Sequence, residues 1–213
     1  MQGWLVGAGR TELAKMLCGD VKPESGEIII KGKQMKASSA ADGVEMGIGL
    51  VPEDRKLEGV FLNYTIEWNI PIMSLRRISK LGIVNFKEAD RLTGTYVETL
   101  AIKTPSVKQE VKNLSGGNQQ KVVVAKVLAA DNDILIFDEP TRGIDVGAKQ
   151  EIYKLMNRLV EEGKSILMIS SEMEELLGMS DRIIVLHEGK VSGELLKDAF
   201  SQDRILELAS GIT

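Results

Sequence analysis

The chain has 213 residues, 43% hydrophobic and 27% charged, with a mean hydropathy of −0.03, which suits one α/β core with a smaller lobe and excludes a disordered polymer. Its 27 basic and 31 acidic residues leave a formal charge of −4, and an isoelectric point near 5.3 speaks against broad nucleic-acid binding. One cysteine, Cys18, and one histidine, His187, exclude an internal disulfide and a His/Cys zinc cage.

In chain order, Gly7-Ala8-Gly9-Arg10-Thr11 forms a glycine-rich turn running into a helix, with Leu13, Met16 and Leu17 on one face and Gly19 as the stop. Ile28 to Ile30 reads as a short strand between turns, and Gly47 to Val51 as another, ended by Pro52. From Glu53 to about Asn113 the periodicity is mainly helical and the charge density higher, which predicts an inserted lobe. In it, Phe61 to Ile70, with Tyr64 and Trp68, suits either a lobe core or a docking surface. Gln119 to Ala130 predicts a helix, and Ile134 to Phe137 an apolar strand ending in Asp138-Glu139-Pro140; unbroken apolar runs suit parallel strands covered on both faces. Ala148 to Glu162 is an amphipathic helix, with Ile152, Leu155, Met156, Leu159 and Val160 on one side. A strand over Ser165 to Ser170 and a short helix over Glu172 to Leu177 follow. A hairpin then turns at His187-Glu188-Gly189, with His187 expected in solvent, and a helical tail runs over Arg204 to Ala209. No apolar run is long enough to span a bilayer and no signal-peptide pattern is present, so a cytosolic chain is expected. The alternation predicts a mostly parallel α/β sheet, with a core of about 1–53 and 130–213 and a helical lobe of about 54–129.

Three segments carry chemistry. Glycines at 7 and 9 let successive N–H groups converge on one anion, and the following helix adds its positive end. A cation at Arg10 would meet terminal phosphates, and the Thr11 hydroxyl would ligate Mg²⁺, although a plain turn fits the same residues. A strand ending in Asp138 places that carboxylate where open α/β folds bind ligands; it suits a cation through water, and Glu139 suits activation of an attacking water. The third segment, Leu114-Ser115-Gly116-Gly117-Asn118-Gln119, offers a helix-capping serine and exposed backbone N–H groups, a second anion site. A capped helix explains Ser115 but assigns no purpose to the two glycines.

Ordered together, these segments resemble an ATP-binding cassette (ABC) domain over almost the whole chain, which implies an ABC-type, RecA-like P-loop NTPase fold. Gly7 to Thr11 resembles the Walker A loop, Leu114 to Gln119 the ABC signature, and Ile134 to Asp138 the Walker B strand. The resemblance makes Glu139 the catalytic glutamate and Asp145 the D-loop aspartate; Glu53 stands at the Q-loop position and Ser171 at the switch-histidine position. It implies ATP as ligand, with Mg²⁺ on Thr11, Glu53 and Asp138, catalysis by Glu139 and Ser171, and contacts to nucleotide from Gly7, Ala8, Gly9, Arg10, Thr11, Glu12, Leu114, Ser115, Gly116, Gly117, Asn118, Gln119 and Asp145. The spellings Val51-Pro52-Glu53-Asp54-Arg55-Lys56 and Asp138-Glu139-Pro140-Thr141-Arg142-Gly143 resemble the C-terminal cassette of tandem ATPases driving bacterial ribose, galactose or xylose importers. Implied partners are an N-terminal cassette of the same polypeptide or a second cassette in a head-to-tail dimer, membrane permease subunits and, indirectly, a periplasmic sugar-binding protein, with no nucleic acid. The implied location is cytoplasmic, on the inner face of the bacterial plasma membrane.

Four departures bear on mechanism. Arg10 replaces a lysine, Glu53 a glutamine, and Ser171 a histidine; Trp4 stands where the first Walker glycine is usual, so a chain shortened at its N-terminus is expected. A planar guanidinium does not substitute for a compact ammonium, and a serine hydroxyl reaches less far than an imidazole. The expectation is a centre that binds nucleotide weakly and hydrolyses it slowly, beside an intact signature that acts in trans on a partner's ATP. The alternative is a regulatory module that binds and dimerises without hydrolysis. A non-transport ABC ATPase of DNA repair or translation would need a coiled-coil insertion, zinc cysteines or a basic linker, none of which is present.

Overall fold

A computed structural model describes residues 9–35, 37 and 39–211; Gly7 and Ala8 of the predicted phosphate turn, and Trp4, lie outside the described residues. The first half holds α1 (Arg10–Leu17), β1 (Ile29–Ile30), β2 (Lys33–Gln34), α2 (Ala40–Glu45), β3 (Ile48–Val51), α3 (Ile66–Asn69), α4 (Leu75–Ile78), β4 (Ser79–Lys80), β5 (Ile83–Val84) and α5 (Phe86–Thr99). The second holds α6 (Gly116–Ala129), β6 (Ile134–Asp138), α7 (Val146–Glu161), β7 (Ser165–Ile169), α8 (Met173–Met179), β8 (Arg182–His187), β9 (Lys190–Leu196) and α9 (Gln202–Ala209).

The predicted parallel sheet is present as three strands in the order β3-β6-β7, with Val51 beside Phe137 and Phe137 beside Met168. Because the strands run parallel, the loops carrying Glu53, Glu139 and Ser171 leave one end of the sheet together. β1-β2, β4-β5 and β8-β9 are antiparallel pairs. Val51, Val111, Val122, Leu135, Phe137 and Ile152 are buried in the main core. There α6 lies directly on β3: a Cβ at Gly49 would come within 2.3 Å of Val127 Cγ1, so only glycine permits that approach.

Two features differ from expectation. The segment expected to be helical contains the β4-β5 hairpin, closed by Leu81 and Gly82 with φ of 53° and 79°. That is the two-residue turn with both φ positive, but leucine at its first position lacks the Asn or Asp that normally announces it. His187 is not a solvated turn residue: it ends β8 half-buried, with Nδ1 2.8 Å from the Ala209 carbonyl, and helps to hold α9 against the hairpin. The aromatics Phe61, Tyr64 and Trp68 are each more than half exposed, while Ile66 and Ile70 of the same segment are fully buried.

Helix α6 is buried nearly all round, Lys126 included, whose ammonium donates to the Gly59 carbonyl. Burial pushes its pKa down to about 8 from 10.5. Between those values the unfolded chain holds more protons at this position than the folded one, so stability rises with pH through that window and the penalty is fully present below it. Lys126→Met relieves that penalty but leaves the Gly59 carbonyl without its donor, so it should stabilise the chain at pH 7 by a net on the order of 1 kcal/mol. The gain should fade toward pH 10.5. Urea unfolding across this range checks the trend, and a gain independent of pH would contradict it.

Candidate functional site

The first centre forms where α1 meets the ends of β6 and β7. Gly9, at φ 80°, turns the chain into α1 through the left-handed region, which favours glycine. Arg10 then reaches across the sheet end: Nη1 donates to the Ser170 carbonyl at 2.9 Å and lies 3.6 Å from Glu139 Oε1. The Thr11 side chain hydrogen-bonds Asp138, which is 2% exposed. Burial raises the Asp138 pKa from its ordinary value, against the opposing pull of Thr11 and Arg10. Glu139 sits at φ 46°, its amide donating to the Ile169 carbonyl at 2.9 Å, and Ser171 Oγ donates to its Oε2 at 3.0 Å. Burial raises its pKa too, opposed by Ser171 and then Arg10. Arg10, Thr11, Asp138, Glu139 and Ser171 are thus brought together. Glu12 is exposed in the first turn of α1, an acid at the positive end of a helix.

Glu53 does not point its charge into that cluster unopposed, because its carboxylate ion-pairs with Arg142. The Thr11 hydroxyl and the Asp138 carboxylate offer hard oxygen donors in mutual contact, a set suited to Mg²⁺. Among the described residues no cluster of three His, Cys, Asp or Glu side chains forms a self-sufficient metal cage. Mg²⁺ characteristically needs none, since it takes few protein ligands and completes its shell with phosphates and water.

The second centre is the turn into α6. Ser115 caps the helix, accepting from the Asn118 amide at 3.4 Å and from Asn118 Nδ2 at 3.0 Å. Asn118 Oδ1 in turn accepts from the Lys103 amide at 2.8 Å. Asp145 caps α7, accepting from the Ala148 amide at 2.9 Å. Asn118, Gly117 and Asp145 line one open cleft of about 210 Å³ with Lys103 and Glu151. Gln119 is buried, donating to the Val111 and Leu114 carbonyls, and Leu114 packs on the core, so both turn inward from the surface that presents Ser115. The two glycines have packing reasons that the sequence does not display. A Cβ at Gly117 would fall 2.6 Å from Ala148 Cβ, and one at Gly116 would fall 3.0 Å from Arg55 Nη2.

One group missed in the sequence lies beneath the first centre. Glu175 is 3% exposed on α8; Oε1 accepts from Thr141 and from Tyr153 at 2.6 Å, and Oε2 from Ser170 at 2.5 Å. Its place in a run of helix acids gave no signal, since a charged helix residue is ordinarily solvated.

This fold and these loops define an ATP-binding cassette. The ABC transporter family matches residues 6–142, and the chain belongs to it. It is an ABC ATPase cassette with the P-loop NTPase fold. The ribose import ATP-binding protein RbsA of Bacillus cereus is 47% identical over 207 residues, covering 97% of this chain and 42% of that protein. The xylose import ATP-binding protein XylG of Thermoanaerobacter pseudethanolicus is 49% identical over 208 residues, covering 97% and 41%. The chain therefore spans about two fifths of the length of these relatives. Among solved structures, the dimeric post-hydrolysis state of the ATP-binding cassette MJ0796 bound to ADP and Pi superposes with a TM-score of 0.76 over 91% of this chain and 82% of that one, at 21% identity. A bacterial Atm1-family ABC exporter with ATP bound gives 0.68 at 27% identity over 90% of this chain and 32% of that one.

Proposed function

We propose that this cassette energises monosaccharide import, holding ATP weakly at its own first centre and serving hydrolysis chiefly through Ser115–Asn118 on a partner cassette's ATP. The ribose and xylose import relatives support the substrate class. The observation that carries the weak-centre reading is the bond from Ser171 Oγ to Glu139 at 3.0 Å. A serine has one proton to donate, and here it goes to the proposed base and not to a phosphate. Arg10 divides its guanidinium between the Ser170 carbonyl and the same glutamate. Phosphoryl transfer depends on positioned charge, so both arrangements remove stabilisation from the transition state. In this reading Gly7 to Glu12 cradles the phosphates, Thr11 and Asp138 hold Mg²⁺, with Glu53 tied to Arg142 at its edge, and Glu139 orients water. Mg²⁺, when bound, neutralises phosphate charge.

The same reading divides the chain into a core of about 1–53 and 130–213 and a lobe of about 54–129. The position of β3, β6 and β7, all outside the lobe, supports that division. The exposed Phe61, Tyr64 and Trp68 suit a membrane permease docking on the lobe at the inner face of a bacterial plasma membrane. Partners in this reading are a second cassette, permease subunits and, through them, a periplasmic sugar-binding protein.

Two experiments test it. Calorimetric titration with ATP and Mg²⁺ should give binding about tenfold or more weaker than that of a cassette with lysine in its Walker loop, a difference of about 1.4 kcal/mol. In an assembly with an intact partner cassette, Ser115→Arg should abolish most ATP turnover by placing bulk and charge at the turn. Unchanged turnover would sink the action in trans and leave the non-hydrolysing regulatory module, which the engaged Ser171 proton also fits.

A further inference from the structure

Arg55 follows Glu53-Asp54 after β3, and none of the roles above uses its side chain. It opens the wide helical turn Arg55–Gly59, which Asp54 caps by accepting from the Lys56 and Leu57 amides at 2.9 and 3.0 Å. From that anchored base the guanidinium reaches the loop after β6. Nη1 donates to the Arg142 carbonyl at 2.9 Å and Nη2 to the Gly143 carbonyl at 3.2 Å. Gly143 presents its carbonyl from φ 67°, a conformation costly for any residue with a Cβ. Nη2 also lies against Gly116, where an added Cβ would stand 3.0 Å away. One planar group therefore touches both the loop that links Glu139 to Asp145 and the residue that follows Ser115. The Glu53–Arg142 ion pair is a second tie between the same strand exit and the same loop.

The arrangement is not the most stable way to fill this space. Arg55 Nε is buried without an acceptor among the described residues, and an unpaired buried donor is destabilising. An apolar side chain of similar length avoids that penalty but cannot grip two carbonyls. A lysine carries a point charge in place of a fork and grips one at a time.

We infer that Arg55 is a positioning residue: it sets the Ser115–Gly117 turn against the loop carrying Asp145, so that the turn meets a partner cassette's nucleotide in working orientation. This rests on the action in trans proposed above. The test compares Arg55→Met, Arg55→Lys and Ser115→Arg in an assembly whose partner cassette has an intact Walker loop. Arg55→Met is expected to melt no lower than about 2 °C below the unaltered protein. Its kcat for ATP falls by about fivefold or more with KM held within about twofold, and Arg55→Lys recovers part of the loss. Amide exchange quickens at residues 115–118 and 142–145 in Arg55→Met and is unchanged in β6 and β7.

Unaltered kcat in Arg55→Met beside an inactive Ser115→Arg overturns the inference and leaves the action in trans standing. Unaltered kcat in both overturns the action in trans, and the inference with it. Unchanged exchange at both turns, or a melting temperature far below the wild type, also overturns the inference, the latter by making Arg55 a structural prop.

Discussion

Glu175→Ala is expected to destabilise the chain by about 3–5 kcal/mol, because it strands several hydroxyls in the interior at about 1–3 kcal/mol each. Thr141 and Ser170 are 2% and 4% exposed and direct their hydroxyls at the Glu175 carboxylate, so water cannot readily replace it. Tyr153 is less buried, and its share of the cost is smaller. Burial, and then the bond to Glu175, hold the Tyr153 hydroxyl well above the usual phenol range, so it stays a donor at any physiological pH. Glu175→Gln preserves volume but turns one acceptor into an amide donor facing a hydroxyl, and should lose roughly half as much. Urea unfolding measures both, and a loss under about 1 kcal/mol in the alanine variant contradicts the account. The damage should also reach the chemistry. Thr141 lies two residues beyond Glu139, and Ser170 adjoins Ser171, so this carboxylate sets the spacing of the loops that bring Glu139 and Ser171 to 3.0 Å.

Arg10→Lys combined with Ser171→His is expected to raise hydrolysis at the first centre, measured with the partner cassette's own centre disabled. Mutational losses of one transition-state donor are about 10²–10³-fold, so restoring two contacts imperfectly should gain about 10- to 100-fold. Lysine gives up the bond to the Ser170 carbonyl and places a compact charge at the head of α1. Histidine withdraws the serine proton from Glu139 and extends further from the end of β7. The pH dependence has a defined sign. Ser171 and Arg10 both hold the Glu139 pKa down against burial, so removing the hydroxyl moves it further up. If Glu139 is the base proposed above, the acid limb of turnover should shift to higher pH in Ser171→Ala. Nucleotide binding that persists in the double variant without any gain in turnover would show that these two side chains do not limit the centre.

Much of the fold was legible because it is written in neighbours. Ile134 to Phe137 reads as a covered strand from its unbroken apolar run, and Ser115 announces α6 because a cap bonds an amide only three residues on. The β4-β5 hairpin gives no such signal, because Leu81 takes a conformation its side chain does not favour, held there by the strands on either side. The candidate residues themselves were visible as types at recognisable spacings. Their pairing was not. Arg10 meets Ser170 across 160 residues, Arg55 meets Gly143 across 88, and Thr141 meets Glu175 across 34. No periodicity carries such information. It arises when the parallel order β3-β6-β7 delivers three loops to one end of the sheet, where burial makes each polar group find a partner. Local pattern thus determined most of the elements and the identity of the chemical groups, while tertiary packing decided the β4-β5 hairpin and which donor faces which acceptor.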